Sequence, residues 1–116
     1  MDARSVRVFV ANYAGHDYAE AEPFGEIRYI TKGFISFGNL DRVKYQIAES
    51  ILNTTKDDWL LLSGVSIINV LSALLWYERH GIVKLLNYDK SGGKYREMIL
   101  TPGHLSQLLE MLAAEG

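Results

Sequence analysis

The side chains best suited by type to do chemistry fall into two short stretches. Asn12-Tyr13-Ala14-Gly15-His16-Asp17 follows the apolar run Ser5–Ala11 and offers an amide, a phenol, an imidazole and a carboxylate. Ser63-Gly64-Val65-Ser66 follows a second apolar run, Trp59–Leu62, and opens a long apolar segment. A glycine at such a point lets a ligand approach the backbone, and the free amides and dipole of a helix N-terminus attract an anion. The plainer reading has Gly64 relieving a tight turn and Ser66 acting as an N-cap. His16 and Asp17 are the catalytic candidates, as an acid–base pair. The same residues also read as a solvated imidazole and a helix cap. Asn12, Tyr13, Gly15, His16, Ser63, Gly64, Ser66 and Asn69 form the candidate ligand-binding set.

Other chemistries lose their warrant. The 116 residues contain no cysteine, which removes disulfides, thiolate metal sites and Cys nucleophiles together. His16, His80 and His104 lie on separate segments without H-x-x-x-H spacing, so no metal site and no cofactor is expected. Neither a G-x-G-x-x-G nor a G-x-x-x-x-G-K-[ST] stretch occurs, and no G-x-S-x-G elbow. Glu20 with Glu22, and Asp57 with Asp58, read as solvated surface pairs. His80, before Gly81 at a helix end, reads as a cation favoured by the dipole, and His104 as structural.

Lys90, Lys94 and Arg96 with Tyr88 and Tyr95 put basic and aromatic groups on one hairpin. Such a set can touch nucleic acid. With a net charge of −2, a lysine-protected sheet edge is the preferred reading, and a nucleic-acid partner is not expected. Apolar residues make up 48% of the chain, enough for one globular domain spanning 1–116. Met1 to Val10 holds no long apolar stretch of the signal-peptide kind. A cytoplasmic protein of a bacterium or phage-infected host cell, away from membranes, is the expectation.

These residues need elements to position them. Ser5–Ala11 and Glu26–Thr31 read as strands, with a short helix between them opened by the Asp17-x-x-Glu20 capping box and closed by Pro23 and Gly25. Leu40, Val43, Ile47, Ile51 and Leu52 recur at helical spacing, with Asn39 or Asp41 as cap. Trp59–Leu62 reads as a strand buried on both faces, and Ser66–His80 as a helix covered on most sides, ended by Gly81. Ile82–Tyr88 and Lys94–Leu100 form a hairpin around Asp89–Gly93. Thr101-Pro102 starts an amphipathic last helix with Leu105, Leu108, Leu109 and Leu112.

Strands alternating with helices imply an α/β fold with helices on both faces of the sheet. The expected form is a compact Rossmann-like three-layer sandwich with a mostly parallel five-stranded sheet. Its order is 2-1-3-4-5, with an antiparallel edge hairpin. Ligands of open α/β sheets bind at the carboxyl ends of the strands, which brings the two chemistry-bearing stretches together.

The stretches VFVANY, DWLLLSGVSIIN and GIVKLLNYD resemble small Rossmann-like hypothetical proteins of phage and bacterial genomes. Strand one and Trp59–Asp89 are more distantly similar to the nucleoside deoxyribosyltransferase-like fold. That resemblance implies a ligand loop after the first strand and a glycine turn leading into a helix. Those enzymes carry a glutamate nucleophile in that helix, whereas Ser66 to Tyr77 holds no carboxylate.

The function expected is binding of a nucleotide-like or phosphorylated small molecule at the carboxyl ends of the strands. The alternatives are a phage or bacterial accessory module that binds other proteins without a catalytic site, and a nucleoside- or nucleotide-processing enzyme. Phe34, Ile35 and Phe37 crowd one loop, which should fold back on something. That loop or the last helix is the expected surface of a homodimer.

Overall fold

Val8 and Val10 point to one side of the first strand and Phe9 and Ala11 to the other, and all four are buried. A strand covered on both faces belongs at the centre of a parallel sheet. In the computed structural model, which describes residues 5–115, this strand, β1 (Arg7–Tyr13), lies between β2 (Glu26–Lys32) and β3 (Trp59–Leu61). The order is β2-β1-β3-β4-β5, with β4 at Val83–Asp89 and β5 at Lys94–Leu100. The first four strands are parallel; β5 returns antiparallel to β4, pairing Tyr88 with Tyr95 and Asp89 with Lys94. The expected strand order and edge hairpin are therefore present. The N-terminal stretch read for a leader lies partly outside the described residues. Among those described, no helix is long and apolar enough to cross a membrane.

The two faces are covered unequally. One carries α1 (Leu40–Leu52) and α2 (Ser66–His80), which bury Val43, Ile47, Ile51, Ile68 and Trp76 against Phe9, Ala11, Ile30, Leu60, Val83 and Leu85. The other face buries Val8, Val10, Trp59, Leu61 and Leu86 under Tyr18 and Ala21. Its cover is a single 3-10 segment, Ala19–Phe24, in place of the expected short helix. Pro23 inside that segment has no amide to give a longer helix. The capping box does not form: Asp17 Oδ1 accepts the Ala19 N–H at 2.9 Å, and no side chain caps the segment.

Several expectations are corrected by packing. α2 is not covered on most sides; Ile68, Ser72 and Trp76 form its buried stripe, while Val70 and Leu74 are exposed. Ser66 is not its cap: Val65 is, and its carbonyl accepts the Ile68 and Asn69 N–H groups. Asn39 occupies the cap position of α1 without a side-chain cap bond. Gly81 ends α2 in the left-handed region as expected, its N–H bonded to Tyr77 O. In the Phe34–Phe37 loop only Ile35 packs on the core; Phe34 and Phe37 stand in solvent, 91% and 70% exposed. The last helix, α3 (Pro102–Glu115), buries no residue.

Asp58 is buried rather than solvated. It accepts N–H bonds from Arg7 at 2.9 Å and Thr55 at 2.8 Å, and meets the Arg7 guanidinium at 3.5 Å. Arg7 also donates to the Asn53 carbonyl. This carboxylate fastens the starts of β1 and β3, which is a structural use of charge. At the far end of α2, His80 Nε2 bonds Thr54 Oγ1 at 2.7 Å. Burial, then the Arg79 charge, lowers the His80 pKa, with Asp58 opposing. The imidazole is thus held toward its neutral form, contrary to the cationic reading.

Two tests follow from this packing. Ser72 Oγ is buried without a partner among the described residues. Ser72→Ala should stabilise the fold by about 1 kcal/mol in urea unfolding, because an unpaired hydroxyl leaves the core and alanine favours helix. A loss of stability instead would reveal a partner for that hydroxyl. His80 binds protons more weakly folded than unfolded, so its contribution is complete above its ordinary value of 6.5. It is lost as pH falls through the lowered folded value. The decline in the urea midpoint between pH 8 and 5 should be shallower in His80→Gln than in the wild type; parallel profiles would exclude this role.

Candidate functional site

The carboxyl ends of β1, β2 and β3 are held by one buried amide. Asn12 Nδ2 donates to Thr31 Oγ1 at 2.9 Å and to Gly33 O at 3.2 Å, and Oδ1 accepts the Val65 N–H at 3.1 Å. Thr31 Oγ1 in turn donates to Ala11 O. Asn69 plays the matching part from the first turn of α2. Its Oδ1 accepts the Ser63 N–H, and its Nδ2 donates to Ser63 O and Val65 O. Both amides, read from sequence as ligand contacts, are engaged in fastening the turn after β3.

Gly64 has φ +77°, and a Cβ there would lie 2.1 Å from Asn12 Oδ1. The Asn12 side chain fills the space that the sequence reading reserved for a ligand. The anion site is reduced as well. Ser63 and Val65 amides are occupied, and Ser66 lies outside the walls of both hollows at this end of the sheet.

The remaining candidates are divided between those hollows. Tyr13 and Gly15 border a shallow depression of about 480 Å³ with Asn12, Gly33, Phe34, Gly64 and Val65. His16, Asp17, Ser63 and Gly64 line a deeper cavity of about 390 Å³. Sequence reasoning did not place Tyr18, Glu20, Lys90 or Tyr95 in that cavity, though they line it together with Tyr88. Tyr18 is the central omission. Its buried hydroxyl bonds Ser63 Oγ at 2.6 Å and accepts the Ala14 N–H at 3.3 Å. Its ring meets Tyr13, Tyr29 and His16. The available signal was an aromatic residue set between Asp17 and the short apolar segment that must cover this face.

The hairpin supplies the opposite wall. Tyr88 and Tyr95 sit edge to face, centroids 5.1 Å apart. Burial, then the nearby Tyr18 and Glu20, push the Tyr95 phenol above its usual range, so it stays protonated. The hairpin turn is set by Asp89. Oδ1 accepts from Ser91 N, Ser91 Oγ and Gly92 N, and Oδ2 from Arg96 Nε at 2.9 Å. These bonds hold the carboxyl pKa well below its ordinary value, at about 2. Arg96 is thereby tied to the turn, whereas Lys90 on the cavity rim has no ion pair among the described residues.

The chemistry on offer is aromatic contact, hydroxyl hydrogen bonding and the Lys90 ammonium. Ser63 Oγ is bonded to a phenol, not to an imidazole or carboxylate, so it lacks the base that an activated nucleophile needs. Asp17 is engaged by Ala19. Among the described residues no cluster of His, Asp and Glu could hold a metal ion.

Gly64→Ala should destabilise the chain by at least about 1–2 kcal/mol in the absence of any ligand, through its left-handed backbone and the Asn12 collision. Chemical denaturation of purified protein measures this; an unchanged midpoint would mean that Asn12 gives way freely.

Searches of curated proteins and of solved structures return no match. A protein-family model described as Phage Pam3 gp32-like protein matches residues 6–102, from the start of β1 to the first residue of α3. The chain belongs to this family of phage Pam3 gp32-like proteins.

Proposed function

We propose that the chain binds a nucleotide-like or other phosphorylated small molecule in the tyrosine-walled cavity. The observation that carries this reading is the convergence of three separate chain segments on a hollow of about 390 Å³ at the carboxyl ends of β1, β3 and β4. Open α/β sheets place ligands there, and cavities of this size suit small molecules. The strand order is β2-β1-β3-β4-β5, and the cavity lies beside the point where the chain direction from β1 reverses. Tyr88 and Tyr95 offer faces to a flat base. The Ser63 and Tyr18 hydroxyls offer hydrogen bonds at its edge. Lys90 and His16 offer charge or hydrogen bonds to phosphate. The phosphate contact is assigned to Lys90 rather than to the α2 amides.

This is a binding role. His16 and Asp17 border the cavity, but Ser63 Oγ is bonded to a phenol and the Asp17 carboxylate to the Ala19 N–H, so the enzyme reading has less support. The interaction-module reading has one specific observation in its favour: Phe34 and Phe37 on one loop, and separately the apolar residues of α3, are exposed on a small chain. A homodimer in a bacterial or phage-infected cytoplasm accompanies the proposal.

Isothermal titration against nucleosides, mono-, di- and triphosphates and inorganic phosphate tests the cavity. Lys90→Ala should weaken phosphorylated ligands about tenfold, or 1.4 kcal/mol, and leave the parent nucleoside unchanged. Tyr88→Ala should weaken both. Absence of heat and of any thermal shift with every compound at millimolar concentration would overturn the ligand reading.

A further inference from the structure

α3 is an apolar helix that is little covered by the rest of the described residues. Leu108, Leu109, Met111 and Leu112 are exposed, and no residue of the helix is buried. A lone helix of this length is marginal in water and draws its stability from packing. Leu105, Leu108, Leu109 and Leu112 follow i, i+3, i+4, i+7 spacing, the pattern of a helix that lies in a groove. At 100° per residue, Ser106, Gln107 and Glu110 fall on the other side.

The chain also carries an empty groove of the matching kind. Between α1 and α2 lies a hollow of about 610 Å³ floored by Tyr45, Ala48, Leu71, Leu74 and Leu75, with Asp41, Lys44 and Glu78 around it. The α3 of the same chain does not lie in it: none of its residues lines the hollow and none is buried. Thr101 alone joins β5 to α3, and the groove lies across α2, toward the β1–β2 side of the sheet.

We propose that two copies of the chain exchange α3 reciprocally, each helix lying in the α1–α2 groove of the other. This rests on the association proposed above and not on the tyrosine-walled cavity. The exchange makes a closed two-fold dimer in which the same patch serves both copies. A helix about 21 Å long covers roughly 300 Å² on each surface, so two docked helices bury about 1,200 Å², the lower bound for a stable interface. One contact alone would fall short, which favours the reciprocal form over an open chain of copies.

The absence of cysteine makes a direct test available. Leu74→Cys places a thiol in the groove and Leu109→Cys places one on α3; both positions are exposed, so folding should survive, as far-UV circular dichroism will check. Light scattering should give a dimer for the wild type without ligand, and Leu109→Arg should give a monomer. On oxidation, an equal mixture of the two cysteine variants should yield at least tenfold more cross-linked dimer than either variant alone. Wild-type protein that is monomeric at high concentration would overturn the proposal. So would Leu109→Cys cross-linking alone as well as in the mixture, which means α3 packs on α3. Ligand titration is a separate readout, so either proposal can fail while the other stands.

Discussion

The side-chain amide of Asn12 is the constraint on which the functional end of the molecule depends. It is buried, and it spends both of its N–H groups and its oxygen on three different parts of the chain: Thr31 at the end of β2, Gly33 beyond it and Val65 at the start of α2. An amide can make this junction because it donates and accepts on opposite sides of one planar group. The junction dictates a residue without a side chain at position 64, since Asn12 occupies the place of a Cβ there. With Gly64 fixed, the turn runs close over β1. Asn69 closes it from the other side, and Ser63 is left facing Tyr18. The cavity therefore inherits its floor from a bond network that contains no ligand.

Its other walls come from elements of different character. The Tyr18 wall rests on a 3-10 segment with few backbone bonds, whereas the Tyr88–Tyr95 wall rests on a fully paired hairpin whose turn is tied by Asp89. The sheet's opposite end is fastened by charge, through Asp58 and Arg7. Polar groups thus close both ends of β1, and apolar packing fills the middle. That division follows from the cost of burying an unpaired polar group: strand ends must find partners, and here side chains supply them.

Much of this was legible before any coordinates. The central strands betrayed themselves because both faces of β1 and β3 are apolar, and the end of α2 followed from Gly81. Burial was less legible. Val70 and Leu74 have the same chemistry as Ile68, and only the position of α1 and the sheet decides which of them is covered. Asn12 and Asn69 were correctly placed at the carboxyl ends, but whether an amide faces inward or outward is not encoded in its type. The cavity itself needed residues some seventy positions apart in the chain, Tyr18 and Lys90 among them, which no local spacing can join. Asp58 looked like surface because its neighbour Asp57 is surface; the buried one is identified only by the strand start it serves.

The two tryptophans lie on opposite sides of the sheet. Trp76 is enclosed beneath α2, edge-on to Phe9 and His80, while Trp59 lies on the thinly covered face, against Phe24 and beneath the Lys84 ammonium. The molecule therefore carries one tryptophan per layer, each excitable apart from the tyrosines. Emission from Trp59 answers to loosening of the 3-10 cover, and emission from Trp76 to separation of the helices from the sheet. Replacing either indole by phenylalanine would leave a single-colour reporter of the other side. The order in which the two layers come apart can then be followed in the same optical channel, without any attached dye.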